Sequence, residues 1–310
     1  MFHVICVDIG GSSIRAARID PQNGKHGRVY SAKTPLTSGR DFFNLVAELS
    51  GKAAGTDKRA PVSIDMPGIF DAKGFLRNSI NFPYFRGVNV DFGHENQRAL
   101  KEKGAGLRDV YWANDAFANH LGIKYFGEGK SASRLVTLVL GSGIGGVFGK
   151  VSPHDDRIEL VDLEPGHMVF GPPGSGIMES HAGMLAIQER ARAKDGLEAR
   201  RLANSGNANA VEAYALAAEN LGHLMHTLHQ LFKPDLTVLS GGPSHDEKYA
   251  ADALSVFAQY ARENNAHPHL GKTVRALQAR FVVSKLKYPN LLGCAVLPYR
   301  NFGWSTVENV

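Results

Sequence analysis

A carboxylate, two glycines and two serines stand together near the start of the chain, in the segment DIGGSS. Gly10 and Gly11 let backbone N–H groups approach an anion, and the hydroxyls of Ser12 and Ser13 add donors. The Asp8 carboxylate can hold a hydrated Mg²⁺ beside the phosphates of a nucleotide. Because a strand pattern follows rather than a helix, the segment predicts a phosphate-binding turn unlike a P-loop, with an ordinary Gly-Gly hairpin as the alternative.

A second glycine turn, GSGIGG at residues 141–146, also follows an apolar, strand-like run. Its Gly141, Ser142 and Gly143 could bind phosphate in the same way as the first turn. The spacing G-x-G-x-x-G is typical of dinucleotide-binding folds, but those need a helix that opens at the third glycine. Here a short β-rich run, residues 147–151, is soon stopped by a proline. The segment therefore predicts a β-hairpin, and we reject dinucleotide binding.

Asn114 and Asp115 lie between a strand-like run, residues 110–113, and a helical pattern. A carboxylate within hydrogen-bond reach of an alcohol can accept its proton, which contributes about 10²- to 10⁴-fold in rate. In this interpretation Asp115 is a general base and the amide of Asn114 orients the substrate. The alternative is that both residues only cap the helix, since Asn and Asp are favoured at that position.

These residues must be positioned by elements that alternate between strand and helix along the chain. The clearest helix spans about residues 210–232, where apolar side chains recur every three or four positions. A strand-like run then ends in Ser240-Gly241-Gly242, a third glycine-marked strand end. The alternation predicts an α/β architecture with a largely parallel sheet in each of two related halves. Ligands of such sheets bind beyond the carboxyl ends of strands, so we expect all three glycine turns to face a cleft between the halves.

The composition is that of a globular protein with room for two domains. The 310 residues are 43% hydrophobic, and no apolar run approaches the roughly 18 residues of a membrane span. The net charge of +5 is spread without a basic stripe, so nucleic acid is not an expected partner. Only two cysteines, Cys6 and Cys294, are present, which excludes a disulfide framework and a four-cysteine zinc site. The apolar run before Asp8 is too short for a signal peptide, so we expect a cytoplasmic protein.

An ordered set of motifs resembles the ROK family of sugar kinases and sugar-responsive repressors. The fold of that family is the duplicated actin-like ATPase fold, built from two ribonuclease H-like α/β domains with an interdomain cleft. The resemblance covers most of the chain. The motifs are DIGGS at 8–12, MPG at 66–68, NFP at 81–83, NDA at 114–116, GSGIGG at 141–146, EPGHM at 164–168, ES at 179–180 and SGG at 240–242.

The resemblance implies an ATP-dependent kinase that transfers the γ-phosphoryl group to a hydroxyl of a hexose, either glucose-like or an N-acetylhexosamine. Asp115 would be the catalytic base, and Asp8 would hold Mg²⁺ through water. The residues implied in sugar binding are Gly68, Asn81, Asn114, Asp115, Glu164, His167 and Glu179. Those implied in binding ATP are Asp8, Gly10, Gly11, Ser12, Ser13, Gly141, Ser142, Gly143, Gly241 and Gly242.

The resemblance also implies a domain division and an assembly state. The first domain would comprise residues 1–113, completed by the C-terminal segment 291–310. The second would comprise residues 114–290. The protein would form a homodimer, with a small sugar as its substrate and no membrane partner.

One departure from the family concerns zinc. Family members commonly hold zinc with the His of the Gly-His pair and three cysteines in the loop that follows. Here no cysteine lies between His167 and Glu179, and the loop looks shortened. We therefore predict no zinc site, which leaves open how the loop orients these two side chains.

Three histidines, His223, His226 and His229, recur every three residues on the predicted long helix. Such a repeat could suggest a metal site, but no carboxylate partner stands at the usual spacing. We predict a solvated flank of the helix.

The same residues also bear on three other classes of function. A sugar-responsive repressor carries a helix-turn-helix before the first phosphate turn, and only seven residues precede Asp8, so this class is not expected. A catalytically inactive regulator that binds sugar or nucleotide is an alternative, because the loop before Glu179 is shortened. An ATPase that acts on a non-sugar partner is a further alternative.

Overall fold

The computed structural model describes residues 3–71, 74–79, 81–106, 109–154, 157–169, 172, 174–263, 280–299 and 302–306. The chain forms two compact units. Unit 1 comprises Met1–Lys130 and Leu286–Asn301, and unit 2 comprises Ser131–Lys285 and Phe302–Val310. Each unit contains helices packed on a β-sheet, so the predicted α/β class is confirmed.

Unit 1 is built on a five-stranded sheet. Its strands are β1 Val4–Ile9, β2 Ser13–Ile19, β3 Tyr30–Lys33, β4 Val62–Met66 and β8 Val110–Asn114, in the order β3-β2-β1-β4-β8. A smaller sheet contains β5 Ile69–Phe70, β6 Phe75–Asn78 and β7 Val90–Asp91. The helices are α1 Gly39–Ala54, α2 Phe92–Glu102, α3 Asp115–Phe126 and, after the chain has passed through unit 2, α9 Pro289–Cys294.

Alternate side chains of β1 enter two different cores. Ile5 and Val7 belong to an apolar cluster with residues of α1 and α2, whereas Val4 and Cys6 belong to a cluster with residues of α9. A strand buried on both faces is expected to be almost continuously apolar, as β1 is until Asp8. Side chains alternate between the faces of a strand, so Asp8 shares the face of Cys6, towards α9.

Unit 2 is built on a six-stranded sheet. Its strands are β9 Arg134–Leu140, β10 Ile144–Val151, β11 Ile158–Asp162, β12 Leu236–Ser240, β13 Phe281–Val283 and β14 Phe302–Thr306, in the order β13-β12-β9-β10-β11-β14. The helices are α4 Glu179–Ala182, α5 Met184–Ala191, α6 Gly196–Asn204, α7 Ala208–Phe232 and α8 Glu247–Glu263. The predicted long helix is α7, and both predicted β-hairpins, β1-β2 and β9-β10, are confirmed.

The prediction of largely parallel sheets is wrong, because both large sheets are mixed. β1, β4 and β8 run parallel, as do β9, β12 and β13, and β11 runs parallel to β14. The pairs β1-β2, β2-β3, β9-β10 and β10-β11 are antiparallel. The cause is the tight glycine turn, since a short turn can only join antiparallel strands. The sequence pattern also missed β3, β11, β13, β14 and the small sheet.

The observed division of the chain differs from the predicted boundaries at residues 113 and 290. Helix α3 belongs to unit 1 because it packs closely on α9, where a Cβ atom at Gly293 would overlap the carbonyl of Ala118. Strand β14 belongs to unit 2 because it pairs in parallel with β11. The C-terminal segment 291–310 is therefore divided between the units.

The prediction of a solvated flank for the three histidines of α7 is wrong. His223 and His226 stack on Tyr260 of α8, and His229 contacts Phe257 of the same helix. His226 and His229 are 8% and 3% exposed. Burial lowers the pKa of His226, and the nearby His223 adds to this. Across the described part of the chain, no group of three or more His, Cys, Asp or Glu side chains is arranged to hold a metal ion.

None of the helices in the described ranges is both long enough and apolar enough to span a membrane.

Cys6 and Cys294 are buried free thiols. Burial raises the pKa of both, so they are un-ionised at neutral pH.

Candidate functional site

The first glycine turn is closed by its own backbone and by Thr34. The Gly10 N–H donates to the Ser13 carbonyl at 2.9 Å. The Thr34 hydroxyl donates to the Gly10 carbonyl at 2.7 Å, and the Thr34 N–H donates to the Ser12 carbonyl at 3.1 Å. The carbonyls are thus occupied within the fold, and the exposed Gly11 and Ser12 face solvent. Thr34 was not predicted, because it lies on the far side of β3 in sequence and no local pattern connects it to the turn.

Asp8 is the penultimate residue of β1, just before this turn, and its neighbours include Arg15 and Asp65. Arg15 Nη1 lies 3.3 Å from Asp8 Oδ2. Burial raises the pKa of Asp8, and Arg15 opposes that shift. Asp65 of β4 is its direct neighbour in the sheet and is 0% exposed, and burial together with the Asp8 charge raises the pKa of Asp65 well above its usual value. Asp65 therefore keeps its proton more readily than Asp8, whose charge Arg15 stabilises.

Asn114 and Asp115 lie at the junction of β8 and α3. Asn114 is the N-cap: its side chain accepts from the Ala116 N–H at 2.8 Å and donates to the Gly68 carbonyl at 3.1 Å. The capping interpretation is therefore confirmed for Asn114. It does not account for Asp115, which is the first residue of α3, where the helix dipole favours a negative charge.

Gly68 and Asn81 lie beside the two parts of unit 1 just described, the β8–α3 junction and the first glycine turn. A Cβ atom at Gly68 would lie 2.7 Å from Leu76 Cδ1, so the site admits only glycine without rearrangement. Asn81 is exposed, and its Cβ atom would lie 3.6 Å from a Cβ atom at Gly11. Unit 1 thus brings Asn81 to the first glycine turn and Gly68 to the N-cap of α3.

The second glycine turn is held by a helix. The Gly141 N–H donates to the Gly143 carbonyl at 2.9 Å. The first N–H groups of α5, from Met184 and Leu185, donate to the carbonyls of Gly141 and Ser142 at 3.2 and 3.1 Å. These bonds satisfy donors that a helix start leaves without intrahelical partners.

Glu164, His167 and Glu179 form a polar cluster in unit 2. His167 Nδ1 lies 3.2 Å from Glu164 Oε2, and His167 Nε2 lies 3.9 Å from Glu179 Oε1. Glu164 adopts a left-handed conformation with φ of 39°, which is uncommon for a residue with a side chain. The Glu179 carboxylate occupies space left by two glycines, since a Cβ atom at Gly143 would overlap it and one at Gly166 would lie 2.9 Å away.

The residues at this cluster do not fit the zinc site of the family. The only cysteines of the sequence, Cys6 and Cys294, lie in β1 and α9 of unit 1. The imidazole of His167 is instead bracketed by two carboxylates. Such a set of charged and polar groups can donate to and accept from the hydroxyls of a polyol.

The third glycine-marked strand end borders a cavity in unit 2. Gly241 has a φ of 91°, and a Cβ atom there would overlap the backbone of Leu140. Ser244 Oγ donates to the Gly241 carbonyl at 2.7 Å. A cavity of about 340 Å³ lies beyond, lined by Met225, Leu239, Leu254, Phe281, Glu247 and Lys285, among others. No local sequence pattern predicts this cavity, because α7, α8 and β13 contribute its walls from distant positions.

Comparison with known proteins identifies the family. A model of the ROK family matches residues 4–281. The glucokinase of Thermotoga maritima is 26% identical over 275 residues, which are 78% of this chain and 82% of that protein. The N-acetylgalactosamine kinase AgaK of Shewanella sp. is 27% identical over 274 residues, which are 79% of this chain and 83% of that protein.

A solved structure confirms the predicted fold. The ROK family glucokinase from Streptomyces griseus, in complex with glucose and AMPPNP, superposes with a TM-score of 0.74 at 21% identity. The superposition covers 95% of this chain and 98% of that chain. The family match runs from β1 to the start of β13 and includes every site residue described above, so this chain belongs to the ROK family.

Proposed function

We propose that this protein is an ATP-dependent kinase that phosphorylates a hydroxyl of a hexose, either glucose-like or an N-acetylhexosamine. One observation in unit 1 supports this most. Asp8, Asp65 and Asp115 stand at the carboxyl ends of three neighbouring parallel strands, beside the first glycine turn. Ligands of α/β sheets bind at such strand ends. The names of the relatives, a glucokinase and an N-acetylgalactosamine kinase, agree with the proposal.

Asp115 acts as the general base. Its carboxylate accepts the proton of the sugar hydroxyl while the hydroxyl oxygen bonds to the γ-phosphorus and the bond to ADP breaks. The Asn114 amide, fixed by its bonds to Ala116 and Gly68, orients the sugar. Phosphoryl transfer depends mainly on positioning and on neutralising charge, so a base held at a helix start is well suited to it.

The Asp8 carboxylate fits a role in holding Mg²⁺ through water. Mg²⁺ is commonly bound by one or two carboxylates together with substrate phosphates, and Asp8 has a partly exposed side chain beside a phosphate turn. When bound there, Mg²⁺ would neutralise the charge of the phosphates. The residues proposed to bind the phosphates are Gly10, Gly11, Ser12, Ser13, Gly141, Ser142 and Gly143. Gly241 and Gly242 would lie near the adenosine, for which the apolar cavity beyond β12 offers a place.

Sugar binding is assigned to six polar side chains and to the backbone of Gly68. The proposed residues are Gly68, Asn81, Asn114, Asp115, Glu164, His167 and Glu179. Several fixed donors and acceptors are needed to distinguish a sugar from water, because each unmet buried partner costs about 1–3 kcal/mol. A homodimer is expected from the family resemblance, and light scattering of the purified chain would measure it.

The proposal is tested by following ADP release with Mg²⁺ and ATP over a panel of hexoses and N-acetylhexosamines. With the best sugar, Asp115→Asn should lower turnover by about 10²- to 10⁴-fold, because the base is lost. Calorimetry should show that this variant still binds the sugar. Asp109→Asn, an exposed carboxylate before β8, serves as the control. Unchanged turnover in the Asp115 variant would exclude it as the base.

A catalytically inactive regulator of the same fold is the second candidate. The specific observation in its favour is that the His167 cluster lacks the cysteines with which family members hold zinc. Calorimetric binding of a sugar with no ADP release from any member of the panel would identify this function instead.

A further inference from the structure

Asp65 is a buried acid to which the proposed mechanism gives no task. It is 0% exposed and lies between the strands that end in Asp8 and Asn114. Burying a carboxyl group is costly unless its oxygens have partners. Two residues from the last part of unit 1 supply them: Asn290 Nδ2 lies 3.2 Å from Asp65 Oδ1, and Cys294 Sγ lies 3.1 Å from Asp65 Oδ2.

The side-chain amide of Asn290 has a partner for each hydrogen of its nitrogen. Besides Asp65, Nδ2 donates to the backbone carbonyl of Asp115 at 3.2 Å. The Asn290 Oδ1 atom accepts from Asn119 Nδ2 at 2.7 Å. This network fixes the orientation of the amide, because a flipped amide would turn its oxygen towards the Asp115 carbonyl and its nitrogen towards the Asn119 nitrogen. Asn290 therefore holds α3 at two points, Asp115 in its first turn and Asn119 in its second, and β4 at a third.

The backbones around Asn290 are fixed by close helix packing. A Cβ atom at Gly293 would overlap the Ala118 carbonyl, and one at Gly122 would overlap the Pro289 carbonyl. Tyr288, just before α9, adopts a left-handed conformation with φ of 58°. With α3 and α9 in backbone contact, neither helix can shift to replace a lost side-chain hydrogen bond.

We propose that Asn290 is a positioning residue for the base Asp115. It ties the first turn of α3 to Asp65 and thereby to the strand end that carries Asp8. The inference rests on the proposed function, since it assigns Asn290 a part in placing that base. A displacement of about 1 Å at a reacting group can lower turnover by up to 10²-fold, so the loss of this tie should be visible in kcat.

The test compares Asn290→Leu with Asn96→Ala. Leucine keeps the branching and the four side-chain heavy atoms of asparagine but donates no hydrogen bond. Asn96 is a control because it is a buried amide of the same unit that bonds only within its own helix, to the Phe92 carbonyl at 2.8 Å. We expect kcat of the Asn290 variant to fall by about 10- to 100-fold with KM for sugar and ATP changed less than about 3-fold. Asn96→Ala should keep the wild-type kcat.

Hydrogen exchange supplies a second measurement that does not need turnover. The backbone N–H groups of residues 115–119 should exchange faster in the Asn290 variant than in wild type, and should be unchanged in the Asn96 variant. A folded Asn290 variant with wild-type kcat, or an equal loss of kcat in both variants, would overturn the inference. If the wild type has no turnover with any sugar, the proposed function fails, and the exchange rates alone then decide whether Asn290 holds this turn.

Should Asn290→Leu not fold, Asn119→Ala removes only one of the three hydrogen bonds. It should lower kcat less than loss of the whole network, again with faster exchange of residues 115–119. An unchanged kcat and unchanged exchange in that variant would contradict the inference.

Discussion

The two glycine turns follow strands of the same burial pattern but place different chemistry at equivalent positions. The last six residues of β9 repeat the burial pattern of β1, and each turn is closed by the N–H of its first glycine. The residue two positions before the first glycine is Asp8 in unit 1 and Val139 in unit 2. Their sheet partners also differ: Asp8 pairs with Asp65, whereas Val139 pairs with Ser240.

The difference shows how two glycine turns, each joining antiparallel strands, can serve different purposes. In unit 1 the strand end carries acidic side chains, which suits metal binding and proton transfer. In unit 2 the strand end is uncharged, and the turn instead borders Glu179, whose carboxylate fills the space beside Gly143. We infer that charge for catalysis is concentrated in unit 1 and that the turn of unit 2, besides its proposed role in binding phosphate, helps to place Glu179.

The largest expected effect comes from substituting the side chains at the equivalent positions Asp8 and Val139. Asp8→Asn should lower kcat/KM on the order of 10²-fold or more, because the negative charge that holds Mg²⁺ is lost. Val139→Ala, at the equivalent position, should change kcat/KM by less than about 3-fold, because it removes two methyl groups and no charge. Steady-state kinetics over a range of Mg²⁺ concentrations measures both. Equal losses in the two variants would contradict the proposed division of roles.

A smaller effect is expected from adding a methyl group to each turn. Gly143→Ala would displace the Glu179 carboxylate and should raise KM for the sugar by about 10-fold, as expected for one displaced hydrogen-bonding group. Gly11→Ala would make an ordinary contact with Asn81 and should instead act on KM for ATP, by a few-fold. Neither glycine has a positive φ, so the melting temperature should change little. An unchanged sugar KM in Gly143→Ala would separate Glu179 from sugar binding.

The smallest expected effect is the pH dependence of stability that Asp65 of unit 1 contributes. The pKa of Asp65 is raised in the folded protein, so between its unfolded and folded values the native state holds a proton that the unfolded state has released. The free energy of unfolding therefore falls as pH rises through that window, by at most about 1.4 kcal/mol per pH unit. Asp65→Asn removes this term while keeping an acceptor for Asn290 and a donor for Asp8.

Thermal unfolding of wild type and Asp65→Asn at several pH values measures the difference. The variant should gain stability relative to wild type as pH is raised from about 4 towards neutrality. Ser240→Ala, at the equivalent position of unit 2, should give a difference that does not depend on pH. A constant difference for Asp65→Asn would mean that this acid is ionised in the folded protein.

The sequence predicts the parts of the site whose signals are local. The glycine turns, the strands before and after them and the cap at Asn114 follow from glycine spacing, from alternation and from N-cap preferences. Asp65 was not recognised, because a single acid in a strand gives no sign of being buried or of lying beside Asp8. Asn290 is 175 residues from Asp115 in sequence, and only the packing of α3 on α9 connects them. The burial of His226 and His229 was missed for the same reason, since aromatic rings of α8 cover them.

The return of the chain to unit 1 at Leu286 bears on how the protein is made. The ribosome must pass residue 294 before Asn290 and Cys294 can cover Asp65, and by then nearly all of unit 2 has been synthesised. Until that moment the face of β1 with Val4 and Cys6 lacks the apolar side chains of α9 that complete its core, and exposed apolar surface of this kind favours aggregation. A fragment that stops at Lys130 would contain Asp8 and Asp115 but would lack the segment that completes their core.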